Sequence, residues 1–93
     1  GDFFLNGRDL RNKIIPKNDC NKEGTIVVII RVNSEGRVVE AQGGGNIPNG
    51  PKSDYINTCL IPIAEAAAKK TTWTPKSGAN VQVGYIVYVF EIK

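Results

Sequence analysis

The sequence predicts an α+β domain built on a three-stranded antiparallel sheet, ordered hairpin, helix, strand, with one helix packed on one face. Three observations carry that prediction. Residues 24–33 are β-branched almost throughout, residues 59–70 carry an apolar stripe at helical spacing, and residues 81–92 alternate as the longest strand. Ninety-three residues make one domain. We place an irregular N-terminal segment at 1–23, packing on the domain, and the domain proper at 24–93. A hydrophobic content of 41% supports a core, though a thin one.

Within the first segment, Phe3, Phe4 and Leu5 form a short apolar run that the turn pair Asn6-Gly7 ends. Ile14-Ile15-Pro16 reads as extended, because the residue before a proline avoids the helical region. Asn18, Asp19 and Asn21 around Cys20 are loop residues.

In the first long strand, Ile26, Val28, Ile30 and Val32 form a wholly apolar face that should meet the core. Thr25, Val27, Ile29 and Arg31 line the other, wetter face. With both faces largely apolar, the strand belongs in the middle of its sheet. Asn33-Ser34-Glu35-Gly36 reads as a hairpin loop, with Gly36 taking the left-handed conformation. Residues 37–42 return as a shorter, more polar edge strand.

Residues 43–53 read as a flexible connection. They invite comparison with a phosphate-binding loop, but Pro51 separates Gly50 from Lys52 and removes a backbone donor from the cradle. The helix follows. Leu60, Ile63, Ala64, Ala67 and Ala68 make its apolar stripe, and Thr58 is placed to cap its start. Pro62 fits only in the first turn, and Glu65 and Lys69 should pair across one turn. In the connection at 71–80, Trp73 is expected to cover the edge of the core.

The last strand is apolar on both faces. Ile86, Tyr88, Phe90 and Ile92 line one; Val81, Val83, Tyr85, Val87 and Val89 line the other. A single-helix domain leaves one sheet face in water, so this surplus calls for cover by the N-terminal segment or by a partner. Pairing with residues 25–32 would make residues 37–42 and the last strand the two edges of the sheet.

The charge balance is mild, +3 from 12 basic and 9 acidic residues. The basic residues are scattered, with Arg8, Arg11, Lys13, Lys17 and Lys22 in the first quarter, and are read as solvated surface. Nucleic-acid binding is not expected, since it concentrates such charge on one face. The chain has no histidine. Its two cysteines cannot complete a zinc site and are too far apart for a redox pair, so neither metal nor cofactor is expected. Two readings of Cys20 and Cys59 remain, a structural disulfide or two buried thiols, and the thin core favours the disulfide. Asp9, Asp19, Glu40 and Asp54 show no pairing suited to acid–base work, so no catalytic residue and no enzyme activity are expected.

Several of these elements carry a resemblance. Gly24-Thr25-Ile26-Val27-Val28, with Arg31-Val32-Asn33-Ser34-Glu35-Gly36-Arg37-Val38, resembles the hairpin of TonB-type C-terminal domains. Ala67-Ala68-Lys69-Lys70-Thr71-Thr72-Trp73-Thr74-Pro75 is similar to that family's helix end, and the last strand is similar to its ending. Phe4-Leu5-Asn6-Gly7-Arg8, and Cys20 with Cys59-Leu60, look like a cysteine-containing branch found in the Bacteroides group. The chain departs from the family at Ile15-Pro16, where a Tyr-Pro is usual, and in its glycine-rich loop before the helix. It also lacks the receptor-contacting motif of the enteric members.

The resemblance implies a periplasmic domain, anchored to the inner membrane through a helix upstream of Gly1 and working with the energising complex there. Such a domain couples inner-membrane energy to outer-membrane receptors by pairing a receptor peptide with its final strand. Val81, Val83, Tyr85, Val87 and Val89 would then carry the partner contacts, since an edge strand offers unpaired backbone groups. Family members also exchange strands, which makes a strand-exchanged homodimer a further expectation. The alternative is a small secreted, disulfide-stapled inhibitor or interaction domain.

Overall fold

Residues 24–32 carry an unbroken apolar run at 26–30 and are mostly β-branched, which suits a strand buried on both faces rather than an amphipathic helix. The computed structural model, which describes residues 3–47, 50, 52–53, 58–78 and 80–92, makes them the central strand. In chain order the elements are β1 (Phe3–Phe4), β2 (Leu10–Asn12), β3 (Gly24–Val32), β4 (Val38–Gln42), α1 (Leu60–Lys69), β5 (Thr72–Trp73) and β6 (Gln82–Phe90). The main sheet is antiparallel with the order β1-β6-β3-β4, and β2 pairs with β5 in a second, two-stranded sheet.

The α+β architecture with its hairpin–helix–strand centre is as expected, but the sheet gains a fourth strand. β1 sets Phe3 opposite Ile86 and Phe4 opposite Tyr85. The last strand is therefore not a free edge along its whole length. It also spans Gln82–Phe90 rather than 81–92, so Val81 and Ile92 flank it. The N-terminal segment is less irregular than its composition suggests, because β1 and β2 borrow regularity from partners distant in the chain.

The core lies between α1 and one sheet face. Ile26, Val28, Ile30 and Val32 are fully buried there, beside Ile86, Tyr88 and Phe90 of β6 on the same face, in one cluster with Leu60, Ala64, Ala67 and Ala68 of the helix. Each buried aliphatic side chain contributes about 1.5–3 kcal/mol. The alanines keep the helix side of this contact thin. Trp73 is buried, as expected, with Phe3 against it edge-on at 5.6 Å between ring centres.

The hairpin closes as its sequence implies. Gly36 has φ +93°, and a Cβ there would lie 1.9 Å from the Trp73 carbonyl oxygen. The Asn33 side-chain oxygen accepts from the Glu35 and Arg37 amides, each at 3.0 Å.

Four local expectations change. Thr58 does not cap the helix; Cys59 holds that position with helical backbone angles and no side-chain capping bond. Glu65 does not pair with Lys69, because its carboxylate accepts the Gly43 amide at 2.8 Å and ties the end of β4 to the helix. Arg8 is not solvated surface but 6% exposed, donating from Nη1 to the Asn33 carbonyl at 2.6 Å. The described part of the 43–53 loop is not slack: the Gly45 amide donates to the Val27 carbonyl at 2.9 Å, and the Val27 amide donates to Ser53 Oγ at 3.1 Å. Pro51 and Asp54 lie outside the described residues.

Candidate functional site: the outer edge of the last strand

Backbone direction along β6 follows from the neighbouring strand. In an antiparallel sheet one residue turns both its N–H and its C=O to the same side, and the next residue turns them the other way. Val27 turns both groups away from β6, towards Gly45 and Ser53. Ile26, Val28 and Ile30 therefore address β6, where they stand opposite Tyr88, Ile86 and Gly84. That leaves Val83, Tyr85, Val87 and Val89 with their backbone groups turned to the outer edge. Glu91 extends the alternation, since its carbonyl accepts from Asn18 Nδ2 at 3.0 Å on that side.

Four of the five residues expected to carry partner contacts thus share one edge, but they do not share one state. β1 covers Tyr85, with Phe4 stacked on its ring at 5.9 Å. Leu5 packs over Gly84, where a Cβ would lie 2.3 Å from the Phe4 carbonyl oxygen, so only glycine allows this close approach. Next along, Gln82 Nε2 donates to the Asn6 carbonyl at 3.2 Å. Residues 3–6 therefore occupy the edge beside Val83 and Tyr85, and Val81 lies beyond the strand. No described residue pairs the outward backbone groups of Val83, and the same holds for the adjacent Val87 and Val89.

Beside these two residues is a groove of about 240 Å³. Its inner wall is β6 at residues 86–89, and its outer wall is the stretch Lys13, Ile14, Ile15 and Pro16. Phe3 and Thr71 also line it. The outer wall is anchored on both flanks. Leu10 pairs with Trp73 ahead of it, and the Asn18 amide and the Cys20–Cys59 disulfide hold it behind. The wall went unrecognised in the sequence, where the available signal was an isoleucine pair and a proline within a polar stretch.

Tyr88 also lines the groove, and its hydroxyl is buried with no hydrogen-bond partner among the described residues. Burial pushes its pKa up to about 12, because the phenolate would lose its hydration. Among the described residues no three His, Cys, Asp or Glu side chains gather as a metal site would require, and no helix is long and apolar enough to cross a membrane.

The fold and this site define an α+β domain whose last strand has outer backbone groups that no described residue pairs, beside an apolar groove. No protein-family model, curated protein or solved structure matches the chain.

Proposed function

We propose that the chain is the protein-binding domain of a TonB-like energy transducer, acting in the periplasm and anchored to the inner membrane by an N-terminal region. It couples inner-membrane energy to outer-membrane receptors by pairing an extended receptor peptide with the outer edge of β6. The observation behind this reading is the outward backbone positions at Val87 and Val89, which no described residue pairs, flanked by covered positions at Tyr85 and Glu91. Pairing a partner strand there satisfies those groups with little demand on its sequence. The resemblance of the hairpin, helix end and last strand supports the choice of family.

The test is an amide NMR titration with extended peptides from outer-membrane receptors of the same cell. Val87 and Val89 should shift more than Val38–Gln42 of β4, the opposite edge strand. Equal shifts on both edges, or none, would overturn strand addition at β6.

A further inference from the structure

Arg8 is buried, yet its guanidinium uses only one of its three nitrogens. Nη1 donates to the Asn33 carbonyl at 2.6 Å, while Nε and Nη2 are shielded from solvent and have no hydrogen-bond partner among the described residues. The ion pairs among the described residues are Lys17 with Asp19 and Arg31 with Glu40, so no carboxylate there balances Arg8. Burying a charge without a counter-charge costs far more than burying a neutral polar group. Nε and Nη2 lie along one side of the planar guanidinium, the side that can hold two oxygens of one oxyanion together.

A second cation reaches the same corner. The Lys76 amide donates to the Ser34 carbonyl at 2.9 Å, next in the chain to the Asn33 carbonyl that holds Arg8. Its ammonium lies over the turn before Arg8, where a Cβ on Gly7 would be 3.2 Å from Nζ. Lys76 is exposed and is likewise absent from the ion pairs among the described residues. Gln82, whose Nε2 donates to the Asn6 carbonyl of this turn, adds a buried unpartnered oxygen but no negative charge. Two cations gathered at one turn repel each other, and an anion held by both reverses the sign of that energy.

We propose that the corner between residues 5–8, the 33–36 hairpin loop and Lys76 binds a small, doubly charged oxyanion of the phosphate or sulfate type. The Nε and Nη2 side of Arg8 grips two of its oxygens, and Lys76 closes over it from the solvent side. Because the guanidinium is shielded, uptake requires the corner to open, and the long, exposed Lys76 chain is its movable member. The bound anion fastens the N-terminal turn to the hairpin loop. The site uses no backbone group of the β6 edge, so it stands or falls independently of strand addition.

NMR titrations of the whole chain with sodium phosphate, sulfate, acetate and chloride at constant ionic strength test this, because general screening is then the same in every arm. Phosphate and sulfate should shift the Gly7, Arg8, Asn33 and Ser34 amides and the Arg8 Nε–H along saturable curves. Acetate should act more weakly, and chloride should not saturate. Lys76→Ala should weaken phosphate binding about threefold and leave the unfolding midpoint in chloride unchanged, since the side chain is exposed. Arg8→Lys keeps the charge but loses the two-nitrogen grip, and should abolish saturation. If Arg8→Lys does not fold, Lys76→Ala decides. Equal shifts from all four salts, or phosphate binding by Lys76→Ala that matches the parent, would overturn the site.

Discussion

Two buried polar side chains, Tyr88 and Arg8, show how far single residues were legible. Alternation sets Tyr88 on one face with Ile86 and Phe90 without saying which face meets the core, and in the structure it lies in the core at 7% exposure. Its hydroxyl has no partner among the described residues, and its pKa of about 12 lies above the ordinary 10.0 because of burial. Folding therefore favours the neutral phenol. This group leaves stability unchanged below pH 10 and lowers it as pH rises from 10 towards 12, where the unfolded chain ionises first. Tyr88→Phe should lack this pH dependence and should gain about 1 kcal/mol at neutral pH by removing an unsatisfied hydroxyl. Denaturant unfolding of both proteins at pH 7, 9 and 11.5 checks this; parallel pH dependences would contradict it. Arg8 was not legible. Its burial depends on the Asn33 carbonyl, 25 residues away, and nothing local to a basic residue in a polar stretch reports that.

Among the elements, β3, β6 and α1 were readable because each repeats its own pattern over nine or ten residues. β1, β2 and β5 have two or three residues each, too few to show a period, and they exist only because a partner strand is near. The same pairing makes the edge of β6 uneven. Amide exchange should reveal this as an alternation: Val87 and Val89 should exchange at least about tenfold faster than Ile86 and Tyr88, which address β3. Uniform protection across residues 86–89 would mean that the outer edge is already paired. Tyr85 should be protected more than Val87, because Phe4 stands opposite it.

At the scale of the whole molecule the Cys20–Cys59 bond joins the N-terminal segment to the start of the helix, 39 residues apart in sequence. Closing a loop of that size stabilises by about 4 kcal/mol on the chain-entropy model, a large share of what a thin core supplies. The double substitution Cys20→Ser with Cys59→Ser should lower the unfolding free energy by about that amount. It should also loosen the outer wall of the groove, since Asn18 and Cys20 lie just behind it. Denaturation and peptide titration of the same variant check both effects; an unchanged peptide affinity would show that Leu10 and Asn18 hold the wall without the disulfide.

The sequence by itself determined the α+β class, the core faces of the first long strand and of the helix, the hairpin turn at Gly36, and two cysteines whose pairing a thin core favoured. All of these rest on periodicity, on local backbone conformation or on the demands of a small chain. Tertiary structure alone decided which part of the last strand is an edge. Two apolar residues, Phe3 and Phe4, pair with it across more than eighty positions of chain, and the stretch Lys13–Pro16 stands beside the part they leave open. A strand's pattern records which faces are buried, but its edges are backbone, and backbone groups are alike in every sequence.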